Sequence, residues 1–236
     1  MKLPFLLSVP HAGLRVPEEV RRYCRLTPEQ IVEDGDEGAA EIYDLASEVV
    51  AFLISDVARA IVDLNRAEND RRPDGVVKTH TVMNVPIYDP FPPDEILYAL
   101  LERYYRPYHR DVRELAASPA VRLSIDCHTM LAVGPPIGPG PGVERPRICI
   151  SDGNGLTCPR EWFEIVVTAF REFFECEIAQ NDPFSGGYIT RTYGAKHPWI
   201  QVELSRAPFA SNSEKRRRLL RALRITAERL GASEVG

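Results

Sequence analysis

The sequence predicts an α/β protein in which helices cover both faces of a central sheet. Short apolar segments, rich in β-branched or aromatic residues, alternate along the chain with segments whose apolar residues recur every three to four positions. Strands that alternate with helices are typical of a sheet covered on both faces. The 236 residues contain no repeat, low-complexity linker or break in composition. We therefore expect one domain over residues 1–236.

The predicted elements follow from these patterns in chain order. The strands are the short apolar segments, mostly bounded by turns: 4–9, 49–54, 60–64, 122–127, 147–151 and 199–204. The helices are the segments with helical spacing: 37–48, 94–117, 160–175 and 213–230. The sequence "SPAV" ends the second helix, and Thr157 is a suitable cap before the third. Glycine and proline alternate in residues 134–146, which predicts a loop that could cover a site near His128.

Composition restricts the class of protein. The chain is 44% apolar and 27% charged, as in ordinary soluble proteins, and its net charge of −5 argues against a nucleic-acid partner. No apolar run approaches the roughly 20 residues that cross a bilayer, and we interpret the first apolar stretch as a strand rather than a signal peptide. The five cysteines are scattered without a C-x-x-C pair. We expect reduced thiols, no membrane partner and a cytoplasmic location, while the oligomeric state stays open.

Two histidines lie at the ends of predicted strands. His11 follows "LLSVP", and His128 ends "LSIDC". Zinc is commonly bound by two histidines and a carboxylate, and the carboxylate could come from Asp34, Asp36 or Glu37. Acids in the first turn of a helix also compensate the helix dipole, so the residues alone leave both interpretations open.

Glu203 lies inside the apolar strand "WIQVELS", with Gln201 on the same face. Because an ionised carboxylate in apolar surroundings carries a desolvation cost, this residue has the profile of a general base. The segment "IVDLNR" predicts a strand that ends in Asn65 and Arg66, and arginine suits bidentate recognition of a carboxylate. A surface salt bridge is the alternative for Arg66.

Two further segments carry polar candidates. Gly186 and Gly187 predict a tight turn, followed by a strand that presents Tyr188 and Arg191. His109 lies in the middle of the long helix 94–117, near a kink at a proline. Packing alone would also explain His109.

Taken together, seven segments resemble the N-formylglutamate amidohydrolase family, whose relatives are the zinc carboxypeptidases and the aspartoacylases. In order they are "SVPHAG", "DGDEGAAEIYDLA", "VDLNR", "YYRPYH", "IDCHT", "GGYITRTYG" and "IQVELSR", and they span residues 8 to 206. The resemblance implies a zinc-hydrolase fold with a central mixed sheet between helices. It also implies that His11 and His128 belong to one site.

Carried over residue by residue, the resemblance implies a set of roles. The metal ligands would be His11, His128 and Asp36, with Glu37 or Asp34 as alternatives for the third. The carboxypeptidase pattern has its second ligand at the position of Leu14, so this chain departs from it there. Glu203 would be the base, and Arg66 or His109 would help zinc to stabilise the charge on the carbonyl oxygen. The substrate-binding residues would be Asn65, Arg66, His109, Tyr188 and Arg191.

The implied activity is zinc-dependent hydrolysis of N-formyl-L-glutamate to formate and glutamate, as in histidine degradation, with one Zn²⁺ per chain. The partner would be a small N-acyl acidic amino acid. The alternatives are a related zinc amidohydrolase or carboxypeptidase acting on another N-acyl amino acid or peptide, and a non-catalytic module that binds acidic ligands. Residues 67–93 match no segment of the family, and they could alter the substrate.

Overall fold

The fold is built on one six-stranded sheet, as seen in a computed structural model that describes residues 2–232. Its strands are β1 (Leu3–Val9), β2 (Val49–Ile54), β3 (Leu123–Met130), β4 (Ile148–Ser151), β5 (Ala179–Gln180) and β6 (Trp199–Ser205). They lie in the order β2-β1-β3-β6-β4-β5. The first four strands of this order are parallel, and β4 runs antiparallel to β6. The sheet is therefore mixed.

Helices flank the sheet on both faces. They are α1 (Glu18–Arg21), α2 (Pro28–Asp34), α3 (Ala39–Ile42), α4 (Asp94–Leu100), α5 (Arg106–Ala116), α6 (Arg160–Phe174), α7 (Tyr188–Tyr193) and α8 (Asn212–Ala232). One apolar core lies under α3, α6 and α8, and a second lies under α4, α5 and α7. The predicted α/β class, with a mixed sheet flanked by helices, is confirmed. Among residues 2–232, no helix combines the length and the apolar character that crossing a membrane requires.

The long predicted helix 94–117 is helical almost throughout, but its geometry changes inside. A π-helical turn, Leu101–Tyr105, separates α4 from α5. Pro107 lies in the first turn of α5, where it cannot donate the N–H bond that a continuous α-helix would make. The helix thus accommodates its proline by a change of hydrogen-bond pattern at the junction.

Three predicted elements are wrong or too long. Residues 60–64 form turns rather than a strand, and they are apolar because they pack in the second core instead of a sheet. The predicted helix 37–48 is limited to α3, because the chain turns at Tyr43–Glu48 before entering β2. The segment after Gly187 forms helix α7 rather than a strand, with Ile189 and Thr190 buried on its inner side.

The strand register prepares the functional site. Across the parallel pair β3 and β6, His128 lies opposite Glu203, and Asp126 lies opposite Gln201. Side chains of a strand alternate between the two faces of the sheet, so these four residues share one face. They gather near the carboxyl ends of the central strands, where open α/β sheets bind their ligands.

Candidate active site and metal centre

A cavity of about 250 Å³ opens at the carboxyl ends of the central strands. His11, Asp36, His128 and Glu203 all line it. All four side chains are buried, with at most 5% of their surface exposed. The fold therefore brings the predicted metal ligands and the predicted base together in one enclosed cavity.

His11, Asp36 and His128 form a group that could bind a metal ion, with one ligand atom from each residue and all three atoms within 4.8 Å of one another. Asp36 Oδ2 lies 2.9 Å from Nδ1 of His128 and 3.7 Å from Nδ1 of His11. The backbone N–H of Asp36 donates to the carbonyl oxygen of His11, at 3.0 Å. This bond fixes the turn after α2 against the end of β1.

The opposite ring nitrogens of both histidines face carboxylates. His11 Nε2 lies 2.8 Å from Asp63 Oδ1, and His128 Nε2 lies 3.1 Å from Asp126 Oδ2. An imidazole whose Nε2–H donates to a carboxylate presents its Nδ1 lone pair to a metal, and such outer partners also fix the ring orientation. Both histidines therefore turn Nδ1 toward Asp36, where a bound metal would take the place of a ring proton.

Charges at the centre compensate one another. Burial alone would raise the pKa of Asp36, but the neighbouring His11 and His128 hold it well below its usual range. Burial would likewise lower the pKa of His128, but the carboxylates of Asp126 and Asp36 hold it well above. The pKa of Asp63 is also held low against burial, by His11, Arg59 and Arg66. The carboxylates are thus kept in the ionised form that binds a cation.

The donor set fits zinc or a related transition metal. Two imidazole nitrogens and a carboxylate oxygen are ligands that zinc prefers, and three protein ligands leave a position free for reactants. The backing carboxylates Asp63 and Asp126 supply the outer hydrogen bonds that such histidine ligands need. The residues at this place therefore match the requirements of a catalytic metal site.

Glu203 has the environment of a general base. Gln201 Nε2 donates to its Oε1 at 2.8 Å, as the shared face of β6 predicts. Burial raises the pKa of Glu203 to about 7. A carboxyl group with a pKa near neutrality both accepts and returns a proton at ordinary pH.

Backbone N–H groups at the glycine turn before α7 donate hydrogen bonds to side chains on both sides of the metal-ligand candidates. The N–H of Gly187 donates to Gln201 Oε1 at 2.5 Å, and the N–H of Ile189 donates to Asn65 Oδ1 at 2.8 Å. Asn65 Nδ2 in turn lies 3.1 Å from Asp126 Oδ2 and 3.1 Å from His128 Nε2. Asn65, which the resemblance places at the substrate, thus also contacts the partners of a metal ligand.

The other sequence-predicted residues lie in different places. Arg66 lines the cavity, and its guanidinium is bonded to Asp74. His109 is buried between the Leu64 carbonyl oxygen and the Tyr193 hydroxyl, and burial lowers its pKa to about 4. Tyr188 stacks edge-on against His109. Arg191 is exposed and bonded to Gly186 and Ser185. His109, Tyr188 and Arg191 are not among the cavity-lining residues.

Asp63, which lies behind His11, and four cations that line the cavity are not predicted as site residues by the sequence. Asp63 was hidden inside a predicted strand, although a carboxylate in the apolar run "IVDLN" was a usable signal of the kind that identified Glu203. Besides Arg66, the cations that line the cavity are Arg59, Lys78, Arg145 and Arg206. Each comes from a different segment, so no local pattern in the sequence links them.

Comparison with known proteins agrees with this geometry. Residues 3–210 match the family model described as N-formylglutamate amidohydrolase. An N-formylglutamate deformylase of Pseudomonas putida is 28% identical over 228 residues, which cover 90% of this chain and 84% of that protein. An N-formylglutamate amidohydrolase structure from Ralstonia eutropha superposes with a TM-score of 0.76 at 20% identity, covering 98% of this chain and 94% of that one. A gene product of Agrobacterium tumefaciens gives 0.78 at 19% identity, covering 99% and 92%. The chain belongs to the N-formylglutamate amidohydrolase family.

Proposed function

We propose that this protein is a zinc-dependent hydrolase that cleaves the amide bond of N-formyl-L-glutamate and releases formate and glutamate. The observation that carries the proposal is the register of β3 and β6, which sets the buried base Glu203 beside the metal-ligand candidate His128. The Pseudomonas putida relative, named a deformylase of this compound, supports the choice of substrate.

His11, Asp36 and His128 would hold one Zn²⁺. When bound, this ion supplies Lewis-acid polarisation of the amide carbonyl and makes water more acidic. Asp63 and Asp126 keep the two imidazoles in the tautomer and orientation that binding requires. Glu37 and Asp34 stay less suitable as third ligands, because Asp34 is engaged by Lys78 at 2.6 Å and Glu37 does not line the cavity.

Glu203 would act as the proton carrier of the reaction. It accepts a proton from the water that attacks the formyl carbon, and it donates that proton to the nitrogen of glutamate as the C–N bond breaks. Arg66 would stabilise the charge that develops on the carbonyl oxygen or bind a carboxylate, together with Asn65. Three of the residues expected at the substrate do not line the cavity: His109, Tyr188 and Arg191. They would influence substrate binding only through the residues that do line it.

The free thiols support a reducing and hence cytoplasmic environment, which we propose for this enzyme. All five cysteines are free in the structure. Burial raises the pKa of Cys127, next to the metal-ligand candidate His128, well above its usual value. This thiol is therefore kept neutral and is not the nucleophile.

The test is formate release by zinc-loaded protein. N-formyl-L-glutamate should be hydrolysed with a higher kcat/KM than N-formyl-L-methionine or N-acetyl-L-glutamate, and one zinc per chain should be found by elemental analysis. Glu203→Gln should retain zinc and lose about 10²- to 10⁴-fold in kcat, because it removes the proton acceptor and little volume.

Other results would point to the alternatives. Faster turnover of another N-acyl amino acid or a peptide would identify a related amidohydrolase or carboxypeptidase. Tight binding of N-formyl-L-glutamate by zinc-loaded protein without any turnover would identify a binding module.

A further inference from the structure

Arg145 lies at the base of the glycine- and proline-rich loop 134–146. Its backbone N–H donates to the Ala132 carbonyl oxygen at 2.8 Å, and the N–H of Gly134 donates to Val143 at 2.9 Å, so the two ends of the loop are joined. From this base the side chain crosses to the tip, where Nη2 donates to the Pro139 carbonyl oxygen at 3.1 Å. The loop is thus an ordered wall that carries one cation.

The guanidinium of Arg145 lines the same cavity as the metal-ligand candidates. It stacks on Phe184, another cavity residue, with 5.0 Å between the guanidinium carbon and the ring centroid. Its Nε atom is buried and makes no hydrogen bond within the described residues. A buried donor without a partner is uncommon and calls for an explanation, of which an absent ligand is one.

The other cations of the cavity wall already have partners. Each lies within 4.0 Å of a carboxylate, in the pairs Arg59–Asp63, Arg66–Asp74, Lys78–Asp34 and Arg206–Asp36. Within residues 2–232, no carboxylate lies that close to the Arg145 side chain, and its one hydrogen bond goes to a neutral carbonyl oxygen. Within the described part of the chain, Arg145 therefore has no anion within 4.0 Å, although the more distant carboxylate of Glu203 acts on its charge.

The position of Arg145 follows from the antiparallel strand. β4 begins at Ile148, opposite Leu204 near the end of β6, and Cys149 lies opposite Glu203. The residues just before β4 therefore lie at the edge of the sheet where β3 and β6 end. The chain thus places Arg145 on the Glu203 side of the metal-ligand candidates, whereas Asn65 contacts these candidates from the His128 side.

We propose that Arg145 is a specificity-determining residue that binds one of the two carboxylates of the substrate. The inference rests on the proposed function, whose substrate carries two negative charges into a cavity where Arg145 is, among residues 2–232, the one lining cation without an anion within 4.0 Å. The Nη groups would meet the carboxylate first, and a turn of the side chain away from Phe184 would add a bond from Nε. Two such bonds from one guanidinium give the planar geometry that selects a carboxylate over an amide.

The experiment compares Arg145→Met with Arg147→Met. Arg147 is two residues away, exposed, outside the cavity and stacked on Phe209, so it is a matched control for charge and position. The substrates are N-formyl-L-glutamate and its two mono-amides, in which either the side-chain or the α-carboxylate is replaced by an uncharged group of similar shape.

Arg145→Met should lower kcat/KM for N-formyl-L-glutamate by about 10- to 150-fold, as expected for a charged hydrogen bond of roughly 1.5–3 kcal/mol. For the mono-amide that lacks the carboxylate bound by Arg145, the loss in kcat/KM should be about threefold or less. The mono-amide that shows this small loss identifies which carboxylate Arg145 binds. Arg147→Met should leave all three values unchanged. Zinc content and unfolding temperature should not differ between the variants.

Equal losses on all three substrates would overturn the proposal, because they would indicate a structural effect or an effect on Glu203. No loss on any substrate would overturn it as well.

A binding experiment separates this proposal from the proposed function. Glutarate has two carboxylates and no amide bond, and its affinity for zinc-loaded protein can be measured by calorimetry. If wild-type protein binds glutarate at least tenfold more tightly than Arg145→Met but does not hydrolyse N-formyl-L-glutamate, the function fails and the carboxylate site stands. Equal affinity of both proteins for glutarate would refute the site.

Discussion

Gly187→Ala should disturb the centre through one steric contact. A Cβ atom at this position would lie 2.2 Å from Asn65 Nδ2 and 2.6 Å from both Cγ and Oδ1 of the same side chain. Gly187 has a φ of −80°, which alanine adopts without strain, so the backbone is not the problem. The amide of Asn65 must move, so its bonds to Asp126 and Ile189 must weaken and its contact with His128 must change.

The expected cost is that of overpacking a buried site, about 1–3 kcal/mol. For a chain of this length, one kcal/mol corresponds to roughly 2–4 °C, so the unfolding temperature should fall by about 2–12 °C. Because Asn65 contacts the Nε2 side of His128, zinc affinity should fall as well. Gly231→Ala is the control, since a Cβ there meets nothing within 4 Å.

The assay is a double-mutant cycle with Asn65→Ala, followed by thermal unfolding and zinc titration. Asn65→Ala alone removes the hydrogen bonds to Asp126 and from Ile189, each with a net contribution of about 0.5–1.5 kcal/mol. It also removes the atoms that the new Cβ would strike. Adding Gly187→Ala should then cost less than about 0.5 kcal/mol, far below its cost in the wild type. An equal cost in both backgrounds would refute the steric account.

Three further outcomes follow from the centre. His128→Ala should abolish stoichiometric zinc binding, whereas His80→Ala, outside the cavity, should retain one zinc per chain by elemental analysis. Asp63→Asn should weaken zinc binding about 10- to 100-fold in a chelator competition, because the carboxylate behind His11 is replaced by a neutral amide; unchanged affinity would contradict that role. In metal-free protein, folded Glu203 keeps its proton up to about pH 7, whereas the unfolded chain releases it above about 4.3. The free energy of unfolding of the wild type, minus that of Glu203→Gln, should therefore fall by about 3 kcal/mol in total as the pH rises between these values. Urea unfolding at pH 5 and at pH 8 measures this difference. The same difference at both pH values would contradict the raised pKa.

The parts of the fold that the sequence predicts well are those in which local pattern and burial agree. β3 and β6 are buried on both faces, and their apolar runs read directly as central strands. Residues 60–64 have the same apolar character, but they are buried by packing of a turn, with the N–H of Asp63 bonded to Val76. Composition cannot distinguish these two reasons for burial.

The same limit explains α7. Its sequence "YITRTY" is β-branched and aromatic, which favours a strand, yet its packing against the second core makes it a helix. Similarly, the family resemblance and not the local pattern groups His11 with His128, and it leaves the third ligand open between Asp36, Glu37 and Asp34. That Arg145 has no carboxylate within 4.0 Å among the described residues could not be predicted, because it depends on which partner each other charge of the cavity contacts.

The residues proposed for the reaction and those proposed for substrate selection lie on different parts of the fold. His128 and Glu203 lie on neighbouring strands of the sheet, whereas Arg145 lies on a loop. A sheet at the centre of the molecule holds the proposed reactive pair at the fixed spacing of adjacent strands. The loop 134–146 is closed by hydrogen bonds between residues 132–134 and 143–145, and the N–H of Ile137 donates to the Val82 carbonyl oxygen at 3.0 Å. We expect that exchanging this loop would leave the proposed reaction chemistry in place and change which acyl amino acid is accepted. The protein is thus a natural starting scaffold for engineering amidohydrolases of altered selectivity.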